Sequence, residues 1–496
     1  MVSPTMGKKI MIAAQKSFAS LVNGCDAMLH STATSSKTQT PQARSCTPGS
    51  RLCGFNFNTA RMTSTMWAHS LGHPRDFDNI NFDKYSSILA LVVGLKIRSR
   101  VSILQIPSST TPASETRREA KSLLLAWARR ILRGLALLFL GSLAGLWLSY
   151  HGVGEAWPML AALLYVPQQV FLLPFAVLIP PALLLDRRLC LVLLALLGPA
   201  VWMFLGPALS VERRVPEDSI RLMTLNRGQH GNQSMRPFVE SQSPDILLLQ
   251  DAKGRAMGYR SAYPEYPFSG ELDEFIVLSR FPIRASERIE HPGIGERPTL
   301  VAARFVLDIG GRQVAMYNVH LPTPRNALQG GGLRTLLLSA VPGTRGSRGE
   351  AGRQLRAFWL DRLDAVRNLN ARIRADPLPA LAAGDFNTPG LGRCNALLTR
   401  GLSDAHSIRG TGFGYTFPGI SRNPLTLFGP WLRLDRVLAG KEWRIDAAVT
   451  EPDRPSQHRA FCASVRLPGL RRPVLPPSSS SAPGNLEQPG GAKGEP

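Results

Sequence analysis

Apolar positions along this chain fall into two regimes. In the first they run on without interruption, over 134–150 (GLALLFLGSLAGLWLSY), about 157–185, and 189–209. No acid or base breaks any of the three over the length a helix needs to cross about 30 Å of hydrocarbon. Each is therefore read as a membrane span. Pro167, Pro174, Pro180 and Pro181 in the second stretch predict kinks, which membrane helices tolerate. Trp147, Tyr150 and Trp157 fall where an interfacial aromatic belt would lie.

From Ser219 onward the apolar runs become short, β-rich and divided by Gly/Pro turns. Strands are predicted over 220–225, 246–250 and 275–279, and 301–309 with 312–320 read as a hairpin turned at Gly310-Gly311. Leu355, Phe358, Trp359, Leu363, Val366 and Leu369 recur at helical spacing and predict a helix over 354–373. Further strands follow over 379–383, 434–438, 447–450 and 461–466. Strands interspersed with helices point to a layered α/β sandwich. The organisation predicted is a Ser/Thr-rich leader (1–118), a three-span anchor (119–210), a soluble domain (211–467) and a Pro/Ser/Gly tail (468–496). The basic, acid-poor start (Lys8, Lys9, Lys16) fits a transit peptide and a disordered leader equally well. The apolar run 88–95 is too brief to span a bilayer.

Charge refines this picture. Lys and Arg total 58 against 35 acids, a formal net charge of +23 over 496 residues, which suits an anionic partner. Much of it borders the apolar stretches, at Arg129, Arg130, Arg133, Arg187 and Arg188, so it is no nucleic-acid signature by itself. Because 151–156 contains no Lys or Arg, the positive-inside rule places the N-terminus and the second turn in the cytoplasm and everything after the third span outside. Arg213 and Arg214 weigh weakly against that orientation. Six cysteines, none in a C-x-x-C pair, argue against a structural zinc site. A Cys394–Cys462 disulfide is left open by the sequence. Arg325, Arg334, Arg345, Arg348, Arg353 and Arg356, interleaved with glycines, predict a mobile basic loop, either a grip on a phosphate head group or a solvated insertion.

Candidate chemistry gathers where strands end: Asn226, Gln250-Asp251, His320, Gly384-Asp385-Phe386-Asn387, Asp435 and His458. Strand ends of an α/β sheet face a shared crevice, where such a set could hold a hard cation and activate water. Alone, each Asp or Asn reads equally well as a turn or cap, and each His as a core or surface residue.

The succession MTLN, PDILLLQD, FIVLSRFP, YNVHL, AAGDFN, GYTFP, LRLDRVL and SQHR resembles the endonuclease/exonuclease/phosphatase superfamily over 220–467. With three spans before it, the chain further resembles bacterial membrane-anchored members of the VanJ type. The resemblance implies the deoxyribonuclease-type phosphoesterase sandwich and Mg²⁺ as cofactor, with Mn²⁺ as the alternative. It implies that Asn226 and Asp251 hold the metal. Asp385 corresponds to the carboxylate that aims or deprotonates water, with Asn387 its partner. His458, oriented by Asp435, and His320 flank the scissile phosphate. Two departures stand out: Asp251 occupies the place of a glutamate, and Ser456-Gln457-His458 replaces a Ser-Asp-His signature, leaving only an amide oxygen for the cation. The function implied is hydrolysis of phosphate esters, lipid-linked ones included, at the outer face of a bacterial inner membrane. A surface nuclease is favoured less, for want of an aromatic-and-basic stretch. An inactive binding module for anionic ligands is the reading that Gln457 keeps alive.

Overall fold

The computed structural model describes residues 113–470, apart from 212, 229–233, 294–297, 329–330, 339, 341–342, 420–428 and 453–455. The leader up to residue 112, the apolar run 88–95 and the tail beyond 470 lie outside the described residues.

Among the described residues, three helices are long and apolar enough to cross a membrane, over Arg117–Gly152, Gln168–Leu185 and Arg187–Leu205. Helix α1 (Ala113–Gly152) begins well before the apolar run, because the preceding residues are mostly Ala, Leu, Arg, Lys and Glu, strong helix formers with no Gly or Pro. The second apolar stretch is not one span. It divides into α2 (Pro158–Leu163), a single 3-10 turn (Gln168–Leu172) and α3 (Leu173–Leu185). The cause is local: Pro167 has no N–H to continue α2, and the Gln168 amide donates to the carbonyls of Leu163 (2.9 Å) and Val166 (2.8 Å) at and just past the end of α2. The third span, α4 (Arg187–Leu205), stops short of the expected Leu209, since Gly206 takes a left-handed C-cap at φ +58°. Arg187 and Arg188 therefore sit in its first turn rather than in a loop. Asp186 caps that turn at Leu189 N (3.3 Å) and pairs with Arg133 at 2.6 Å, tying α1 to the α3–α4 turn. Leu138, Val177, Leu184 and Leu191 point outward from these helices, the reverse of a water-soluble bundle and what hydrocarbon demands.

Beyond these helices, twelve strands among the described residues form two six-stranded sheets. Those labelled here are β1 (Ile220–Asn226), β2 (Ile246–Gln250), β3 (Phe268–Leu272), β4 (Phe275–Ser279), β5 (Ile283–His291), β6 (Thr299–Ile309), β7 (Arg312–His320), β8 (Ala380–Asp385), β9 (Ser403–Asp404), β10 (Asp435–Ala439), β11 (Arg444–Thr450) and β12 (Phe461–Arg466). One sheet runs β11-β12-β1-β2-β4-β3, the other β9-β10-β8-β7-β6-β5. Each has one parallel pair, β1–β2 and β7–β8, among antiparallel neighbours. The sheets stack through Leu222, Leu248, Phe305, Met316, Val437 and Phe461, so the α/β sandwich expected from the pattern is the fold. The β6–β7 hairpin turns at Gly310-Gly311, both at positive φ (59° and 82°), as its right-handed twist requires.

Helix α5 (Glu350–Arg374) covers the outer face of the second sheet with Leu363, Val366 and Leu369. The basic segment before it is not one loop: it holds helical turns at Arg325–Leu328, Gly331–Leu338 and Arg345–Arg348, and Arg353 and Arg356 already lie on α5. Leu336 is buried there against Ala161 and Trp359, which gives the segment an apolar footing. Cys394 and Cys462 are both free, and they belong to separate apolar clusters on opposite outer faces of the sandwich.

Candidate active site

Register brings the chemistry together. In the second sheet His320 is the residue opposite Asp385, and Asp435 is opposite Asp385 on its other side. In the first sheet Asn226 is opposite Gln250, so Asp251 follows one residue later at the same edge. The Gly384 of GDFN is required by that arrangement, because a Cβ there would lie 1.9 Å from the Val319 carbonyl oxygen.

Asp385 is the hub. Its Oδ2 accepts from Asn226 Nδ2 at 2.9 Å, and its Oδ1 accepts from Asn387 N at 2.8 Å. The Nε2 atoms of His320 and His458 both face Oδ2, at 3.8 and 3.7 Å. Each ring is held from behind by a carboxylate: Nδ1 of His458 by Asp435 Oδ2 at 2.9 Å, and Nδ1 of His320 by Glu274 Oε1 at 3.2 Å. An ionised carboxylate can only accept, so both Nδ1 atoms carry hydrogen and both Nε2 atoms are turned to the centre. Burial disfavours the His458 imidazolium, but Asp435 and then Asp385 outweigh it and raise its pKa. Burial acts on His320 likewise, and the Glu274 hydrogen bond with the Asp385 charge lifts it to about 9. Burial also raises Asp435, more than His458 lowers it.

Asn387 takes a left-handed backbone conformation, φ +46°, that few residues other than Gly or Asn accept. It is held there by its side-chain amide on the Leu321 carbonyl (2.8 Å) and by two donors on its own carbonyl. These are Arg362 Nη2 at 2.5 Å and Tyr165 Oη at 2.6 Å. Thr416, in the GYTFP motif, accepts from Asp435 N at 3.1 Å, and Phe417 lies against the His458 ring at 4.8 Å. Of the residues expected from sequence, Asn226, His320, Asp385, Asn387, Asp435 and His458 meet at one point. Asp251 stands at the rim with φ +51°, half-buried, close enough to contribute to the raised pKa of His320. Asn226 turns its oxygen to Gly228 N at 2.9 Å and its amide to Asp385.

Sequence reasoning missed Glu274, Arg362, Thr416 and Tyr165. Arg362 left a signal, being a charged residue inside the apolar stripe of α5 and buried there. Glu274, at the head of a strand, left none.

For a divalent cation the donors fit. Asp385, Asp435 and His458 each offer one ligand atom within 4.8 Å of the others. Asp435 Oδ1 is buried with no hydrogen-bond partner among the described residues, an expensive arrangement unless something else satisfies it. Two carboxylates suit Mg²⁺ or Mn²⁺.

No curated protein matches the sequence. Among solved structures, similar ones include an endonuclease/exonuclease/phosphatase from Bacteroides vulgatus (14% identity, 50% of this chain and 99% of that one, TM-score 0.36). Others are sphingomyelinase C from Streptomyces griseocarneus (19%, 50% and 99%, TM-score 0.33) and the human Nocturnin catalytic domain (15%, 51% and 96%, TM-score 0.34). The model of the Endonuclease/Exonuclease/phosphatase family matches residues 220–458, the stretch that forms the sandwich and carries the site.

Proposed function

We propose that this chain is a membrane-anchored, divalent-cation-dependent phosphoesterase. It acts on phosphate esters, lipid-linked ones included, at the outer face of a bacterial inner membrane. One observation carries the chemistry: two imidazole Nε2 atoms, each backed by a carboxylate, converge within 3.8 Å of one Asp385 oxygen.

In this reading Asp385 orients a water and takes its proton as the water oxygen bonds to phosphorus. The bond to the leaving oxygen breaks, and His320, an imidazolium at neutral pH by its raised pKa, gives that oxygen a proton. His458, favoured as an imidazolium by Asp435 on Nδ1, donates through Nε2 to a phosphoryl oxygen as charge builds there. Asp385 and Asp435, with Asp251 and Asn226 at the edge, would hold a Mg²⁺ or Mn²⁺, which would supply further stabilisation of that charge.

The arginines at the Arg133–Asp186 end of the anchor support a cytoplasmic position for that end. The chain between the first two spans and the chain after the third then share the outer side. A substrate lying in the head-group layer is favoured over nucleic acid, because the Asn387 loop touches Tyr165, three residues before the second span begins at Gln168.

The test uses the full chain in lipid nanodiscs, offered lipid phosphates, bis-p-nitrophenyl phosphate and single-stranded DNA, with Mg²⁺, Mn²⁺ or chelator. Metal-dependent release from lipid phosphates that is lost in Asp385→Ala is expected. DNA as the preferred substrate would favour a surface nuclease. A folded protein that binds anionic vesicles and hydrolyses nothing would establish the binding-module reading instead.

A further inference from the structure

The segment between the first two spans does more than connect them. Glu155 is buried, and its carboxylate accepts from the backbone N–H of Arg393 (2.8 Å) and Cys394 (3.2 Å) at the start of α6 (Gly392–Leu398). Gly392 lies at φ +92°, and a Cβ there would stand 2.6 Å from that carboxylate and 2.7 Å from Leu164. Trp157 Nε1 donates to the Ala340 carbonyl at 3.1 Å, and Ala161 packs with Leu336, Leu355 and Trp359. These contacts seat residues 155–165 on the sandwich beside the GDFN loop.

Tyr165 sits where this seat meets the site. Its hydroxyl donates to the Asn387 carbonyl at 2.6 Å, and its own carbonyl accepts from Trp431 Nε1 at 3.2 Å. The neighbouring Leu432 pairs with Phe417, which lies against His458. Tyr165 thus bridges the loop carrying Asp385 and Asn387 and the loop leading to Asp435. Its ring also faces Trp359 at 6.1 Å, one turn of α5 from Arg362, the other donor on the Asn387 carbonyl. Burial raises its pKa, so the hydroxyl remains a donor at physiological pH.

We propose that the loop entering the second membrane span is a working part of the phosphoesterase site, with Tyr165 a positioning residue for Asn387 and, through it, for Asp385. The physical chain is short. Asn387 holds an uncommon backbone conformation, its N–H aims Asp385 Oδ1, and Tyr165 and Arg362 together occupy its carbonyl. Removing one donor loosens the turn, and a small misplacement of a reacting group costs up to about a hundredfold in rate. The inference rests on the hydrolytic function proposed above.

The test compares wild type, Tyr165→Phe and Trp431→Phe, all as full-length protein in nanodiscs. The substrate is water-soluble bis-p-nitrophenyl phosphate, so that presentation by the bilayer is not what is read. Tyr165→Phe keeps the ring and removes only the donor. A fall in kcat of roughly ten- to hundredfold is expected, with KM changed less than about twofold and the unfolding midpoint nearly unaltered. Trp431→Phe is expected to fall less, in the same pattern. Equal kcat in wild type and Tyr165→Phe would overturn the proposal, and so would a rate loss matched by a lowered unfolding midpoint. Absence of hydrolysis by wild type would instead sink the functional reading on which it stands.

Discussion

The two histidine–carboxylate pairs are built alike and buried differently. Each straddles the sandwich: His320 ends β7 of the second sheet and its partner Glu274 precedes β4 of the first, while His458 precedes β12 of the first and Asp435 opens β10 of the second. Yet the Asp435 side chain is fully buried and His458 is 8% exposed, whereas Glu274 is 28% and His320 18% exposed. The buried pair is locked by Thr416 and Phe417, and the other opens toward solvent. A closed pair suits fixed stabilisation of charge, and an open pair suits a group that must meet a departing product.

That contrast can be broken at its shared centre first. Asp385→Ala removes the oxygen both rings face and is expected to lower turnover by about 10³-fold or more in a metal-replete phosphate-release assay. A residual rate near wild type would show that the pairs act without it. Next, Asp435→Asn should cost about 10²-fold or more, since the amide neither supports the His458 imidazolium nor offers a charged oxygen to a cation, and Glu274→Gln about tenfold. Equal losses would erase the distinction drawn from burial.

A pH titration of stability sharpens the comparison. With chelator present, His320 has a folded pKa of about 9 against an ordinary 6.5. Its contribution is full below 6.5 and lost as pH rises through 9, up to about 3 kcal/mol. Glu274→Gln should flatten that alkaline decline in the unfolding midpoint; an unchanged slope would remove the Glu274–His320 link. Gln457→Asp is the smallest change. Gln457 is exposed, and its amide oxygen lies beside Gly228, 3.6 Å from where a Cβ would project. A carboxylate there should lower the Mg²⁺ concentration for half-maximal rate about two- to tenfold, read from metal titrations.

Most of the sandwich was legible because buried strands announce themselves. Ile246–Gln250 and Phe275–Ser279 are buried at every position and were read at their observed bounds. Strand β5 (IRASERIEH) was not, since most of its side chains face solvent and no apolar alternation marks it. The site was legible as an ordered set of strand-end residues, none of which was informative alone. What sequence could not supply was contact between distant segments. Tyr165 sits inside the apolar stretch read as the second span, where Pro167 was read only as a kink. Glu155 looked like a loop acid. Its place at the start of α6 depends on a glycine more than two hundred residues away.

The edge strand β5 bears on how copies of the chain meet one another. It ends its sheet with unpaired backbone, which in many proteins invites a second copy to add a strand. Here the edge carries Arg284, Glu287, Arg288 and Glu290, engaged with Asp308, Arg372, Asp273 and one another. A fringe of alternating charge lets copies of the chain meet without zipping their sheets together.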